Sequence, residues 1–584
     1  MPAKSNKTNW ILAGILFLCL LVYLPTFNNG FTNWDDQKQV LQNLDIQALN
    51  ISNTTKIFSS FYVGMYQPVT TQAYAIIYSI FGSSATAFHS FSLLIHLLNI
   101  ILVFVLIRNF CRKDDIALIS AALFALSPLQ VESVAWVSAL SNLLYTAFYL
   151  AALIAYLKYI RQHRMSYFFY ALTFFIFSLL SKPSAVTFPV LILFIDLYFR
   201  RRLNLGLVLE KLPFFLLSLI IGIVIIYARQ EAGHIIDISE RFGWGSRMLL
   251  ISYALAFYVA RLFVPGGLSA FHPYPVDGLP PEYYIAPIVP LMLLFLVFRL
   301  RGELRRQVIV GLMFFLITIA VVMEIIPVGV QVVKERYVYL PSAGIYYIFT
   351  VLMMYFVSGR KYSRVITYSI LFLLFVSFSV LSFSRAGTWH DSFSLWDDVL
   401  EQYPEASSAL INRGNAWQDE EEYNRALADY NLAIRWEPYA ADAFLNRGLT
   451  YYRMNNNAMA IIDFDQAIAL GIRDAETFNN RGLLKASSED ISGALADFKM
   501  AAEIDPDFID AWINAGLMQA NLTHYNEAFN DFSTAIKKDP FSARAYYWRG
   551  MVQLSMQRIE GGCRDMKSAV THGWPQQQVP KVCQ

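Results

Sequence analysis

The pattern of apolar and polar positions divides the chain into two unlike parts. Up to about residue 384, long apolar runs follow one another with short polar interruptions, as in proteins that cross a membrane many times. These runs predict twelve candidate spans, near residues 10–27, 87–107, 116–127, 138–157, 166–181, 185–199, 212–228, 248–264, 285–299, 308–327, 343–358 and 366–384. Several are shorter than the ~20 residues that an untilted span requires, so we expect one or two broken or re-entrant segments.

The C-terminal part carries an internal repeat with a step of 34 residues, which is typical of the stacked helix pairs of tetratricopeptide repeats. Small and aromatic residues recur with the same step, as expected where paired helices approach closely. The repeated triplets are Asn412-Arg413-Gly414, Asn446-Arg447-Gly448, Asn480-Arg481-Gly482, Asn514-Ala515-Gly516 and Trp548-Arg549-Gly550.

The sequence therefore predicts an all-α protein with a polytopic membrane domain followed by an α-solenoid. We place the membrane domain at residues 1–384, a linker helix at 385–403 and about five repeats at 404–584. Asp391 and Trp396 are expected in the linker helix.

Composition agrees with this division and gives no indication of nucleic-acid binding. The 584 residues are 56% hydrophobic and 15% charged, with a net charge of only +2. Basic residues cluster in the loops between apolar runs, where they favour the cytoplasmic side. Placing the N-terminus and both the earlier and the later basic loops in the cytoplasm requires an odd number of membrane crossings. We therefore expect eleven spans, with a non-crossing segment within 229–264 and the repeats outside the cytoplasm.

Cysteine positions are consistent with an oxidising environment for the repeats. Cys563 and Cys583 flank the last repeat and its tail, and their spacing permits a disulfide. Two unpaired thiols are the alternative.

Four asparagines precede the repeat glycine by two positions, on the first helix of each pair: Asn412, Asn446, Asn480 and Asn514. A column of amides offers donors and acceptors to the backbone of an extended peptide. This column resembles the asparagine ladder in the solenoid of the nucleocytoplasmic O-linked N-acetylglucosamine transferase. A preference of helix packing or capping explains the asparagines equally well.

The first loop after the first span contains two adjacent carboxylates, Asp35 and Asp36. Such a pair at a bilayer surface can act as a general base or bind a cation. By itself it is more often a solvated turn or a helix cap.

A series of further motifs follows this loop. It comprises Gln67-Pro68-Val69-Thr70, the helical pair His89 and His96, the run from Ser127 to Trp136 that includes Glu132, Ser181-Lys182-Pro183, and Glu335-Arg336-Tyr337-Val338-Tyr339-Leu340-Pro341-Ser342. Together with the repeats, the series resembles the transmembrane and tetratricopeptide-repeat O-mannosyltransferase family, within the GT-C superfamily of glycosyltransferases. The resemblance covers almost the whole chain. Its most specific parts are the aspartate pair and the element that begins at Arg336.

The resemblance implies an inverting transfer of a sugar from a polyprenyl-phosphate donor to a hydroxyl group on the non-cytoplasmic face. Asp35 or Asp36 would take the hydroxyl proton. Arg336 would bind the departing lipid phosphate. Lys182 would add a second positive charge there, or it is an interfacial lysine that extends its ammonium group to water.

Three further residues are expected in the donor and acceptor pocket: Glu132, His89 and Glu335. Glu132 is expected to orient the acceptor or to pair with Lys182, and His89 to lie near the donor head group. The spacing of His89 and His96 without a carboxylate does not indicate a zinc site. One departure from the family is that Pro183 follows Lys182 where relatives typically have an acidic residue, so no role of that acid is transferred.

The expected partners are membrane lipid, the lipid-linked sugar and protein or peptide acceptors bound by the repeats. No soluble cofactor is implied, and a divalent metal is compatible with the motifs but not required. The compact repeats and short loops favour a bacterial member, in its inner membrane with periplasmic repeats, or with lumenal repeats in a eukaryote. Mannose is implied by the resemblance alone. The alternatives are a membrane-anchored scaffold and a GT-C enzyme that acts on a surface glycan or lipid.

Overall fold

The computed structural model describes residues 3–202, 204–231, 242–275, 278–323, 331–357 and 361–583. Most of these residues are helical, which confirms the predicted all-α fold. The chain forms two compact units, residues 1–404 and 405–584.

The first unit contains helices built from the apolar runs. Pro128 and Pro183 stand where helices break, because proline lacks the backbone N–H that would continue the hydrogen-bond ladder. The helices are α1 Ala3–Val22, α2 Ile51–Ser59, α3 Pro68–Phe81, α4 Ala85–Cys111, α5 Asp114–Leu126, α6 Val131–Ala135, α7 Leu140–Gln162, α8 Met165–Ser181, α9 Phe188–Tyr198, α10 Leu205–Glu231, α11 Trp244–Arg261, α12 Pro281–Ile285, α13 Ile288–Arg299, α14 Gly302–Ile319, α15 Ser342–Val357, α16 Lys361–Thr388 and α17 Ser392–Gln402.

Several of these helices are long and apolar enough to cross a membrane. Within the described residues there are six, at Ala85–Cys111, Val137–Gln162, Leu205–Ala228, Pro281–Arg299, Gly302–Val322 and Arg364–Thr388. Four shorter apolar helices accompany them, and Asp114–Leu126 with Pro128–Ala135 forms a pair bent by 57°. A bend of this kind is what a broken or re-entrant segment requires. The suspected non-crossing stretch 229–264 lies partly outside the described residues.

The region expected to be a linker helix is part of the first unit. Helix α16 continues through residue 384 to Thr388, and α17 follows after a short turn. Trp389 and Trp396 are fully buried within this unit. Residues 385–403 are therefore a packed element of the membrane unit, and the division between the units falls at residue 404.

Two short elements complete the first unit near the sequence Glu335-Arg336-Tyr337. Strand β1 (His272–Pro273) pairs antiparallel with strand β2 (Gln331–Val333), and a 3-10 turn at Glu335–Val338 follows directly. Helices α14 and α15 cross where Gly311 and Gly344 meet. A Cβ on Gly344 would lie 2.5 Å from the Gly311 carbonyl oxygen, so this crossing requires glycine.

The second unit consists of five helix pairs, as the 34-residue step predicts. In each pair the repeat glycine of the first helix contacts a large side chain of the second; at Gly482 a Cβ would lie 2.7 Å from the Phe498 ring. The pairs are α18 Ser407–Asp419 with α19 Tyr423–Trp436, α20 Ala441–Arg453 with α21 Asn457–Ala469, α22 Ala475–Ser487 with α23 Ile491–Ile504, α24 Ile509–Asn521 with α25 Tyr525–Lys538, and α26 Ala543–Ser555 with α27 Ile559–Thr571.

Candidate functional site

Asp36 anchors the first loop to the break between α6 and α7. The backbone N–H and hydroxyl of Thr32 donate to its Oδ2, both at 3.0 Å. The N–H and hydroxyl of Ser138 donate to its Oδ1, at 2.9 and 2.5 Å. Burial raises the pKa of Asp36 to about 6, although the hydrogen bonds from Ser138 and Thr32 lower it. Each oxygen of this carboxylate thus already accepts two hydrogen bonds.

Asp35 has a different environment from its neighbour. Its φ is +67°, a left-handed conformation that aspartate adopts more readily than most residues. Its side chain is only half-buried. Burial alone would lower the pKa of Arg336, but the charges of Glu132, Tyr337 and Asp35 raise it. Of the two aspartates, Asp35 is the more exposed one and interacts electrostatically with Arg336.

Arg336 is held by Glu132 and by aromatic rings. Its Nη1 donates to Glu132 Oε1 at 2.5 Å and its backbone N–H donates to Oε2 at 2.6 Å. Its guanidinium lies 5.5 Å from the ring of Trp34 and 5.0 Å from that of Trp136. Glu132 is fully buried, so this arginine compensates a charge that would otherwise be costly. Glu132 pairs with Arg336 and not with Lys182.

Three cations surround the ring of Tyr337. Lys182 Nζ lies 5.0 Å from the ring centre, and Lys334 Nζ and the Arg336 guanidinium both lie at 5.3 Å. Lys182 also donates a hydrogen bond to Asn142 Oδ1. Burial lowers the pKa of Lys182 to about 8. A concentration of positive charge of this kind is suited to an anionic group such as a phosphate.

Glu335 is oriented away from the cation cluster. Its Oε1 accepts from the Ser269 N–H at 2.6 Å and lies 3.2 Å from His272 Nε2, while Oε2 lies 3.5 Å from Arg385 Nη2. Glu335 is fully buried and joins the β1 strand to the end of α16. Through these contacts it holds the turn that carries Arg336.

His89 and His96 both serve buried contacts. His89 Nε2 lies 3.1 Å from the carbonyl oxygen of Gly30, at the start of the loop that carries Asp35. His96 Nδ1 lies 2.6 Å from the hydroxyl of Tyr339. Each histidine therefore stabilises a segment of the site, and His89 contacts the loop backbone.

Sequence reasoning missed the aromatic cluster behind Arg336. The rings of Trp34 and Trp136 stack at 4.7 Å, and Trp389 stacks on Trp136 at 5.7 Å. Trp396 Nε1 donates to Asn33 Oδ1 at 2.7 Å. The signal for this cluster in the sequence is the pair of tryptophans at 389 and 396, within the region expected to be a linker helix. Lys334, Ser138 and Asn142 also contribute to the site and belong to none of the motifs in the sequence.

Among the described residues, no group of three or more His, Cys, Asp and Glu side chains is placed to hold a metal ion. The cations and aromatic rings of the site provide no metal ligands of their own.

The four repeat asparagines differ in what they contact. Asn412 donates to the Ser408 carbonyl on its own helix at 2.8 Å. Asn514 is buried, donates to Asn479 Oδ1 and accepts from Arg544 Nη2. Asn446 and Asn480 are half-buried. The four amides therefore do not present one uniform ladder.

Cys563 and Cys583 form a disulfide that fastens the tail to α27, with Cα atoms 4.9 Å apart. The other two cysteines, Cys19 and Cys111, are free.

Comparison with known proteins adds independent information on both units. Residues 67–227 match the family model described as dolichyl-phosphate-mannose-protein mannosyltransferase, and residues 441–470 match a tetratricopeptide repeat. The resemblance to O-mannosyltransferases is confirmed. The matched segment includes Glu132 and Lys182 but not Asp35 or Arg336.

Curated relatives carry the same functional name. Protein O-mannosyl-transferase F38B6.6 of Caenorhabditis elegans is 23% identical over 461 residues, which are 75% of this chain and 64% of the relative. Tmtc1 of Drosophila melanogaster is 26% identical over 31% of this chain and 22% of its own length. Tmtc2 of the same organism is 30% identical over 25% and 17%. The chain thus spans less than two thirds of each of these relatives. The matches support a mannosyltransferase.

Solved structures similar to the chain are tetratricopeptide proteins. YrrB, a TPR protein with an unusual peptide-binding site, is 24% identical, with a TM-score of 0.30, over 30% of this chain and 92% of its own. MamA is 18% identical, with a TM-score of 0.27, over 27% and 93%. The apolar helices and the mannosyltransferase match together indicate a multi-pass membrane protein.

Proposed function

We propose that the protein is an integral-membrane, inverting GT-C glycosyltransferase that moves mannose from a polyprenyl-phosphate donor to a Ser or Thr hydroxyl of a protein acceptor. The observation that carries this proposal is the group of three cations around Tyr337, next to the loop that bears Asp35. An enzyme of this kind needs one group to accept a proton and several to stabilise a phosphate that leaves with increased negative charge.

Lys182, Lys334 and Arg336 are the groups proposed to bind the donor phosphate. When the bond between the anomeric carbon and the phosphate oxygen breaks, its electron pair remains on the phosphate. Three positive charges close to that oxygen stabilise the departing group more strongly than the bound donor. Arg336 provides directional N–H donors, and the lysines provide compact charges.

Asp35 is the proposed general base. As the acceptor oxygen forms its bond to the anomeric carbon, its proton passes to the Asp35 carboxylate. Asp36 is a poor choice, because both of its oxygens already accept hydrogen bonds from Thr32 and Ser138. Attack on the face opposite the leaving phosphate inverts the anomeric configuration. Asp36 is instead assigned to hold the loop in position.

Glu132 is proposed as a positioning residue. Its two oxygens fix the side chain and the backbone of Arg336. Glu132 is fully buried and both of its oxygens accept hydrogen bonds from Arg336, so it is not available to take the proton of the acceptor hydroxyl. Glu335 and His89 act in the same way on the turn and on the first loop, through Ser269 and Gly30 respectively.

The reaction is proposed to take place on the extracytoplasmic side, with the repeats on that side as well. The disulfide of Cys563 and Cys583 favours an oxidising compartment for the repeat unit. This corresponds to the periplasmic face of a bacterial inner membrane, or to a lumenal face in a eukaryote.

The repeat unit is proposed to bind the protein acceptors, and the groove residues proposed for this binding are Asn412, Asn446 and Asn480. Asn514 is not included, because its amide NH₂ already donates to Asn479 and its amide oxygen already accepts from Arg544.

The test is sugar transfer by the full chain in detergent or nanodiscs, with radiolabelled polyprenyl-phosphate mannose and a Ser/Thr-containing acceptor protein. Asp35→Asn is compared with Asp45→Asn, a matched control in the same loop region whose carboxylate pairs with Lys56. We expect labelled protein from the wild type and the control, with product of inverted configuration, and a loss of at least ~100-fold for Asp35→Asn.

Two results would contradict the proposal. Equal transfer by Asp35→Asn would remove the base assignment. Label that enters only lipid or glycan, or no transfer with any lipid-linked hexose, would favour the glycan-directed enzyme or the scaffold.

A further inference from the structure

Four of the five repeats contain the same buried ion pair between their two helices. The arginine before the repeat glycine donates through Nε and Nη2 to both oxygens of an aspartate 16 residues later, at 2.5–2.9 Å. A parallel pair of charge-assisted hydrogen bonds of this kind is strong and directional. The pairs are Arg413 with Asp429, Arg447 with Asp463, Arg481 with Asp497, and Arg549 with Asp565.

An aromatic ring forms a second wall for most of these arginines. For three of the four arginines, the ring three residues earlier in the sequence lies close to the guanidinium carbon: Phe444 at 5.4 Å, Phe478 at 5.5 Å and Tyr546 at 5.6 Å. A cation next to the face of such a ring gains further stabilisation. A carboxylate and a ring therefore form an arginine socket, which recurs with the 34-residue step.

The fourth repeat has an aromatic residue and an aspartate at the socket positions of the sequence but lacks the arginine. Ala515 stands in the arginine position, whereas Trp512 and Asp531 occupy the positions of the ring and the carboxylate. Oδ2 of Asp531 is buried and has no hydrogen-bond partner among the residues that the structure describes. Burial raises the pKa of Asp531 to about 6; Lys499 lowers it and Glu527 raises it further. A buried carboxylate oxygen without a hydrogen-bond donor is costly unless a donor from elsewhere reaches it.

The geometry of the other repeats indicates that the socket opens to solvent. The four paired arginine side chains keep between 14% and 24% of their surface exposed. In three repeats Nη1 also contacts a polar side chain of the preceding repeat: Asn431, Asp465 or Ser533. The corresponding residue before the fourth repeat is Lys499, which is exposed. Asp531 as a residue is only half-buried and interacts electrostatically with Lys499, so a guanidinium from outside would compete with Lys499 for it.

We propose that the fourth repeat binds an arginine side chain of a polypeptide ligand between Asp531 and Trp512, at the place that the chain's own arginine fills in the other repeats. This gives the repeat unit a preference for arginine in the proteins that it engages. The proposal does not depend on sugar transfer, because binding is measured without a donor.

The test is saturation-transfer NMR on the full chain in detergent at pH 7.5, which detects weak binding. The probe is a seven-residue Gly/Ser peptide with one central arginine, compared with the same peptide carrying citrulline, a neutral residue of nearly the same shape. We expect the arginine peptide to bind at least ~10-fold more tightly. The preference should disappear in Asp531→Asn and in Ala515→Arg, which fills the socket internally.

Two further variants test whether the preference for arginine depends on the charges at the fourth repeat. Asp507→Asn removes an exposed carboxylate outside the socket and should leave the preference unchanged. Lys499→Gln should strengthen binding of the arginine peptide by removing a competing charge. Equal affinity for arginine and citrulline, or a preference that persists in both Asp531→Asn and Ala515→Arg, would overturn the proposal.

Discussion

Ser138 donates two hydrogen bonds to one oxygen of Asp36, from its backbone N–H at 2.9 Å and from its hydroxyl at 2.5 Å. This contact joins residues 102 positions apart in the sequence. It also uses an N–H at the start of a helical segment, where such groups lack partners within the helix. The two adjacent aspartates, which are indistinguishable in the sequence, therefore have different environments.

The first prediction concerns the fold rather than the reaction. Asp36→Asn places an amide NH₂ group opposite N–H and hydroxyl donors, so at least one buried donor loses its acceptor. We expect a loss of about 1–3 kcal/mol in the free energy of unfolding. Asp35→Asn should have little effect, since asparagine also tolerates the left-handed conformation of residue 35. Thermal unfolding of both purified variants measures this difference. Unchanged stability of Asp36→Asn would show that Asp36 is not the anchor.

The second prediction tests the pair of Arg336 and Glu132. Arg336→Met leaves Glu132 buried without its partner and should cost about 3–5 kcal/mol. Adding Glu132→Gln removes the stranded charge, so the double variant should be clearly more stable than Arg336→Met alone. Unfolding of the single and double variants gives the coupling energy. Strictly additive effects would mean that the two side chains act independently. Transfer should remain lost in both variants.

The third prediction concerns pH. Burial lowers the pKa of Lys182 to about 8, so this side chain loses its positive charge as the pH rises above 8. The affinity for the anionic donor should therefore fall between pH 7 and 9. Donor KM measured over this range should rise in the wild type and stay flatter in Lys182→Arg, whose guanidinium keeps its charge. An identical rise in both proteins would assign the pH dependence to another group.

The fourth prediction compares two equivalent aspartates of the repeat unit. Asp463→Asn breaks a two-point pair with Arg447 and should cost about 3 kcal/mol. Asp531→Asn should change stability by less than about 1 kcal/mol or stabilise, because it removes a charge that lacks such a partner. Chemical unfolding of the full chain, followed at the repeat unit, distinguishes them. Equal losses would show that Asp531 is paired in solution.

The fifth prediction concerns the cysteines. Of the four cysteines, Cys19 and Cys111 are free and the other two form a disulfide. Protein purified from membranes and denatured without reductant should bind two maleimide labels, and four after reduction. Four labels without reductant would contradict both the disulfide and the oxidising compartment inferred from it. Cys563→Ser serves as the control, with three labels under either condition.

Much of the architecture could be predicted because it depends on local patterns. The apolar runs of α4, α7 and α10 are long enough to identify these helices by themselves. The 34-residue step predicts five helix pairs, because each repeat glycine must meet a large side chain of the next helix. The expected linker helix at 385–403 coincides with the end of α16 and with α17, which belong to the first unit. Its burial depends on Trp34 and Trp136, which are hundreds of residues away.

The site was only partly predictable. The motifs identified Asp35, Asp36, Glu132, Lys182 and Arg336 as chemically interesting residues. They did not indicate that Glu132 pairs with Arg336, that Glu335 binds Ser269 and His272, or that Lys334 joins the cations around Tyr337. Each charged residue could pair with any of several oppositely charged residues in the sequence, and only the packing of the folded chain determines which pair forms.

The sequence by itself thus determined the two-part organisation, the helical content and the 34-residue step of the repeats, because periodicity and apolar length are properties of neighbouring residues. The tertiary structure decided which aspartate is saturated, which carboxylate holds Arg336, how each repeat arginine pairs with an aspartate, and that Oδ2 of Asp531 is buried without a hydrogen-bond partner. Those outcomes depend on hydrogen bonds and burial, which arise only when distant segments are brought into contact.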